Sequence, residues 1–493
     1  MFIASHEWLP AAQPAARGPS TLSGFPVAPD CNHSGLYRQL TDSRPCVQAR
    51  EQAASFLRSE LEQVRAQACE IPEAPQDLGL WMAASFQTAH SQYGQYLEQR
   101  KAGASRCFFS NRAHALYFLR CVAPTKLVDG AWLYGLLAHW RNPRFTDLVR
   151  TYLEELGEGA PDKNHVVVYR QLLGRYGLDP IDDLPDGLYR QGLIQLALSC
   201  NAESFLPEII GFNLAYEQLP LHLPITAYEL NELGLDPYYF TLHVTVDNGD
   251  TGHARRACQA VLDTLPRLDD GGAFWQRVRE GSKLANAGVG TSDVIRQFDI
   301  EAELLRILAH KAPSGNGAHS NYCRVAGRSV NEWLSRPEEM PAFLQALQQA
   351  GWIKRGEPAA NSRFWKLLQG ERAEMFGVFS GYELQVIHDW IRGPASVDGQ
   401  TYTKSDKDGD AAADGKHARS FRVAERLARS AATGMAPVAL NDSDLLDSDL
   451  DLLKKGLVDP ENSQEALLVG AMSPALHWTP AGLYATRLLC AGR

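Results

Sequence analysis

Phe145-Thr146-Asp147-Leu148-Val149-Arg150-Thr151-Tyr152-Leu153-Glu154-Glu155-Leu156 repeats its apolar side chains at helical spacing. Phe145, Leu148, Val149, Tyr152, Leu153 and Leu156 fall at i, i+3, i+4, i+7, i+8 and i+11, one continuous face of an α-helix. At about 100° per residue, Glu155 flanks that face and can look inward, whereas Glu154 points away from it. Gly157, Gly159 and Pro161 then break the helix, and Asn164-His165 opens another ahead of Val166, Val167 and Val168. The same rhythm begins at Ala49 (Leu57, Leu61, Val64, Ala68) and recurs to about Trp390, with almost no strand alternation. The sequence therefore predicts an all-α protein, in which the valine-rich runs at 166–168 and 244–246 belong to buried helices.

Two further segments place carboxylates and histidines in apolar surroundings. Phe205-Leu206-Pro207-Glu208-Ile209-Ile210-Gly211-Phe212-Asn213-Leu214-Ala215-Tyr216-Glu217 is apolar nearly all round, yet carries Glu208 in its first turn. A buried ionised carboxylate costs several kcal/mol unless it is paired or metal-bound, so Glu208 requires a partner. Glu217 lies on another side, as a supporting group or an ion-pair member. Asp236 and Pro237 form a good helix start, followed by Tyr238-Tyr239-Phe240-Thr241-Leu242-His243 and on to Asp247. His243 and Asp247 share a face at i, i+4. His253 follows across Gly249 and Gly252, with Asp250 as the alternative in the same role.

Composition removes several function classes. Among 493 residues, 48 Lys and Arg stand against 58 Asp and Glu, a net charge of −10 that argues against nucleic-acid binding. No apolar run approaches the roughly 18 residues of a membrane span. Residues 1–7 show no basic-then-apolar leader, and nine scattered cysteines without a CxxC read as reduced thiols, so a cytoplasmic protein is expected. Asp406-Lys407-Asp408-Gly409-Asp410 fails as a calcium loop, because Ala411 and His417 stand where glycine and glutamate are needed. Walker A, GxSxG and HExxH motifs are absent, and Gly288-Val289-Gly290 lacks the third glycine of a dinucleotide fingerprint. The expected organisation is a mobile N-terminal arm over 1–48 and a helical domain over 49–300. A small, mainly helical accessory domain follows over 301–393, with a loop at Pro313–Ser320, then a low-complexity linker and acidic tail over 394–493.

Glu155, His165, Glu208, His243, Asp247 and His253 are the candidate metal ligands. Such mixed nitrogen and oxygen donors suit iron or manganese better than a thiolate zinc site. None of the fourteen histidines has Glu three residues before it, which excludes the paired Glu-x-x-His pattern of ferritin-like diiron bundles.

The order of these elements resembles the haem-oxygenase-like diiron oxidases and oxygenases, the iron-containing redox enzymes. Glu155 through His165 looks like that family's glutamate, break and histidine, and Pro207-Glu208-Ile209-Ile210-Gly211 like its buried glutamate. Asp236-Pro237-Tyr238-Tyr239-Phe240 through His243 and Asp247 looks like its His-x-x-x-Asp helix. The departure is that the family's last histidine falls on Asp250 here, with His253 three residues later; Gly249 and Gly252 favour His253. The resemblance spans about Pro124 to Ala254. It implies a haem-oxygenase-like multi-helical bundle with an additional C-terminal helical region, two Fe(II) ions (the second labile) and O2 as co-substrate. It also implies oxidation of a small amine or amino acid, and leaves room for an electron donor and a homodimer. The alternatives are a fatty-acyl substrate, or a non-catalytic helical binding protein with vestigial ligands.

Overall fold

The computed structural model describes residues 32–178, 181, 183–246, 252–268, 271–371, 373–393 and 446–492. It begins with α1 (His33–Leu40), α2 (Val47–Val64), α3 (Leu78–Lys101), α4 (Arg112–Cys121) and α5 (Ala123–Lys126). Next come α6 (Thr146–Glu155), α7 (His165–Tyr176), α8 (Arg190–Cys200) and α9 (Leu206–Tyr216). The helices α10 (His222–Glu232), α11 (Tyr238–Val246), α12 (His253–Thr264) and α13 (Gly272–Lys283) complete the central bundle. Beyond it lie α14 (Thr291–Gln297), α15 (Ile300–Gly315), α16 (Val330–Leu334), α17 (Met340–Gln349), α18 (Arg363–Gln369) and α19 (Gly381–Arg392). The chain's last described helices are α20 (Ser448–Val458), α21 (Gln464–Ala471) and α22 (Pro480–Ala491). A single antiparallel hairpin, β1 (Arg324–Val325) with β2 (Arg328–Ser329), is the strand content among the described residues. The all-α expectation holds, and both valine-rich runs lie in helices, α7 and α11.

The bundle is organised around α9, apolar on nearly every side and buried from Pro207 to Leu214. It runs against α13 and α12, while α12 also packs against α6. Two glycines bring α9 and α13 together. A Cβ on Gly211 would sit 1.9 Å from the Val278 carbonyl oxygen, and one on Gly281 would sit 2.4 Å from the Glu208 Cα. The turn between α6 and α7 is equally tight. Gly157, Glu158 and Gly159 all have positive φ (62°, 52° and 85°), and a Cβ on Gly157 would fall 2.4 Å from the Asn164 nitrogen. Asn164 then caps α7, its side chain accepting from the Val167 amide at 3.0 Å.

Three boundaries differ from the sequence expectation. Residues 32–40 do not continue the proposed arm: Asp186 accepts from the His33 and Ser34 amides at 3.0 and 2.8 Å, and Tyr37 and Leu40 of α1 are buried. Pro313 sits inside the last turn of α15 instead of opening a loop. The acidic tail is helical and packed, with α22 seated on the 157–159 turn of the central bundle. Its apolar residues Leu450, Met472 and Ala485 are each buried, which explains why this stretch folds rather than trails. The accessory region is docked too: the Asp389 carboxylate of α19 accepts from the Ala113 amide at the start of α4, at 2.9 Å. Among the described residues, no helix is long and apolar enough to cross a membrane.

Candidate metal centre

Five helices and one turn deliver side chains to one buried place. The apolar face of α6 is turned into the core, which carries Glu155, at its last turn, inward with it. The capped start of α7 presents His165 as its first residue. His243 projects from α11, and His253 opens α12. Asp129 stands between α5 and a 3-10 segment, followed by Gly130 at φ 79°. A Cβ on Gly130 would lie 2.9 Å from the Glu155 Cβ, so only glycine lets these two carboxylates approach. Glu217 caps the end of α9.

The result is two ligand sets that share Glu155: Asp129, Glu155, His165 and His243, and Glu155, Glu217 and His253. His165 Nδ1 lies 2.5 Å from Glu155 Oε2 and 3.9 Å from Asp129 Oδ2. His243 Nε2 lies 3.1 Å from the same Asp129 oxygen. His253 Nδ1 is 3.1 Å from Glu155 Oε1 and 3.0 Å from Glu217 Oε2. All six are buried, His253 completely.

Three features of the donor set bear on metal binding. His165 makes no aligned hydrogen bond through either ring nitrogen, although Nδ1 is within reach of Glu155. A short, misaligned approach of this kind is compatible with both groups serving one ion. His243 Nδ1 is 2.9 Å from the Tyr239 carbonyl oxygen. A carbonyl can only accept, so Nδ1 carries a proton, and Nε2, facing the Asp129 carboxylate, would ligate a metal on giving up its own. His253 Nε2 is held 3.0 Å from Glu154 Oε2, leaving Nδ1 toward the shared carboxylate. Imidazoles fixed through their outer nitrogen by a carbonyl or carboxylate are the usual support of metal-binding histidines. The residues fit a metal.

The carboxylates are held ionised. Burial pushes the Asp129 carboxyl up, but Lys126 and His243 overcome it and hold it below the usual carboxylate value. Burial likewise opposes ionisation of Glu155, and His165 and His253 hold it well below its usual value. For Glu154, burial is outweighed by His253, Arg256 and Arg150, bringing it down to about 2. Burial works against the Lys126 ammonium, while Tyr216, Asp129 and Glu155 keep it charged. Burial, Lys126 and His243 push His222 down to about 3, so it faces this region as a neutral ring.

Of the residues singled out from sequence, Glu155, His165, His243 and His253 are brought together. Glu208 is not: α9 turns it toward α13, where Arg277 grips it through two hydrogen bonds of 2.6 and 2.7 Å. Its buried charge has the required partner, an arginine rather than a metal. Asp247 and Asp250 lie outside the described residues. Glu154, expected to face away, meets His253 and Arg256 instead. Asp129 is not among the sequence candidates, although a carboxylate set in Leu127-Val128-Asp129-Gly130-Ala131 carries the same signal of a buried charge as Glu208.

No curated protein and no solved structure matches the chain. Residues 116–286, which hold every member of both ligand sets, match the model of the iron-containing redox enzyme family.

Proposed function

We propose that the two ligand sets bind a pair of Fe(II) ions and that the protein uses O2 to oxidise a small amino acid. The observation that carries this reading is the shared Glu155, whose two oxygens face the two sets separately: Oε2 toward His165 and Oε1 toward His253. A carboxylate placed this way would serve as a ligand in both sets. When bound, the irons would supply the electrons and open coordination positions that O2 activation needs.

The chain's own residues do the rest. Asp129 Oδ2 accepts from the Tyr239 hydroxyl at 2.5 Å, which fixes the carboxylate while it faces His165 and His243. Tyr152, Tyr169, Phe212 and Tyr239 are fully buried, and the Tyr239 ring packs against those of His165 and His243. Lys126 reaches over the rings of Tyr216 and Tyr239, 5.7 Å from each centroid. Once the carboxylates are committed to metal, its ammonium is available to a substrate carboxylate, which favours an amino acid over a plain amine.

Anaerobic titration with Fe(II), read by Mössbauer spectroscopy, tests the site, with two ions per chain expected. Oxygen uptake is then compared across amino acids and the amines that lack their carboxylates. Absence of bound iron would remove the reading, and equal stimulation by amines would remove its amino-acid part.

A further inference from the structure

Glu155 and His165 sit on either side of one short turn, and three contacts from the far end of the chain hold that turn. The Arg487 Nη1 of α22 donates to the Gly159 carbonyl at 2.7 Å. Gly159 is pressed so closely on α22 that a Cβ there would lie 2.5 Å from the Leu483 carbonyl oxygen. Asn164, wholly buried, donates through Nδ2 to the Leu156 carbonyl and to the His477 carbonyl, both at 3.3 Å. One side chain thereby ties the residue after Glu155, the residue before His165 and the C-terminal segment together. One turn earlier on α6, the Tyr152 hydroxyl donates to the Met472 carbonyl at 2.6 Å. Arg170 of α7 stacks over Trp478, its guanidinium 3.8 Å from the ring centroid.

We propose that residues 472–487 are a clamp that sets metal affinity at the Asp129, Glu155, His165 and His243 set, by fixing the 157–164 turn between two of its ligands. The physical need is specific. Gly157, Glu158 and Gly159 occupy left-handed backbone conformations in succession; the Gly159 and Ala160 amides close local turns onto the Leu156 and Gly157 carbonyls, but two glycines leave the segment conformationally permissive. A free turn would let the start of α7 shift relative to the end of α6. Supporting contacts of this kind move metal affinity by about 10- to 100-fold. Met472, His477 and Arg487 are positioning residues, not ligands, and all lie outside the matched residues 116–286. The inference rests on the metal reading of the cluster.

Two variants test it in the full chain. Arg487→Met keeps the aliphatic stem and removes the bond to Gly159, while Asn164→Ser keeps a capping oxygen and removes both donations. Anaerobic Co(II) titration, followed by visible absorption, should show affinity reduced by about tenfold or more at this set, with helical content unchanged. Amide exchange at Val167 and Val168 should speed up in the metal-free variants. Wild-type cobalt affinity together with unchanged exchange would overturn the clamp. Should either variant unfold, a protease site placed within 394–445 allows the wild-type helices to be tested after cleavage. Cobalt should then leave in step with displacement of the 446–493 fragment by mild urea, and retention of cobalt after the fragment has gone would refute the proposal. If the wild-type protein binds no cobalt, the metal reading fails, and the exchange measurement still decides for or against the clamp.

Discussion

Glu154 Oε2 lies 3.0 Å from Nε2 of His253, on the side of the imidazole opposite the shared carboxylate. Adjacent residues of one helix therefore grip the same histidine, Glu155 at Nδ1 and Glu154 at Nε2. Their substitutions should separate. Glu155→Ala should abolish binding of both ions, because both sets lose a member. Glu154→Ala should weaken only the ion held by His253 and Glu217, by about 10- to 100-fold, since it frees the imidazole to rotate. Iron stoichiometry after anaerobic reconstitution checks both; equal losses would mean that Glu154 does not act through His253.

How much of this was legible in the sequence depended on what each residue answers to. Glu155 follows from the apolar period of its own helix, and His165, His243 and His253 stand out as imidazoles beside apolar runs. Glu154 was misjudged because a helical wheel knows only one helix. In the fold, α12 covers the flank of α6 that the wheel leaves to solvent, and Arg256 and His253 come with it. Glu208 reads as a buried charge in need of a partner, but Arg277 lies 69 residues further on. Local spacing carries no trace of that pairing. Asp129 sits in a turn, where no period exists to mark an inward face. The acidic tail was read from its composition, and its docking depends on carbonyls and glycines some 300 residues away that leave no pattern in α20 to α22.

Asp129 and Glu208 make a second comparison. Asp129→Asn should remove one negative ligand from the two-histidine set and lower iron content toward one ion per chain. Glu208→Gln should leave iron binding near wild type and lower stability by about 1–3 kcal/mol, the range for losing hydrogen bonds to a charged group. Arg277 is 45% exposed, so water can solvate it and limit that loss. Metal analysis and urea denaturation of both proteins settle the comparison; loss of iron in the Glu208 variant would return it to the ligand set.

The α9–α13 crossing makes a prediction about stability alone. Gly211→Ala would drive a methyl group to within 1.9 Å of the Val278 carbonyl oxygen, so the two helices must part. Backbone cannot yield as a flexible side chain would, and a loss of about 3 kcal/mol or more is expected. Gly174→Ala, on α7 with nothing within 4 Å of the added methyl group, should be neutral or slightly stabilising. Thermal unfolding of the pair checks this, and similar midpoints would show that α9 and α13 are not in this contact.

His114, which belongs to neither ligand set, should give the protein a measurable acid sensitivity. Its ring stacks on Phe298 at 4.5 Å, Nε2 donates to the Ile295 carbonyl at 2.9 Å, and Nδ1 accepts from the Ser110 amide at 3.3 Å. Those partners require the neutral ring. Burial pushes its pKa down to about 4, only partly opposed by the Ile295 carbonyl. In the unfolded chain a histidine titrates near 6.5, so between about pH 6.5 and 4 the unfolded state binds more protons than the native state. Stability from this group is therefore complete above about pH 6.5 and is lost as pH falls toward 4. A titration moved from about 6.5 to about 4 corresponds to roughly 3 kcal/mol. His114→Gln keeps a donor for Ile295 and cannot titrate; it should be somewhat less stable at pH 7.5 yet lose less stability on acidification. Urea midpoints of both proteins at intervals from pH 7.5 to 4.5 cancel the titrations they share, and parallel curves would refute the assignment to His114.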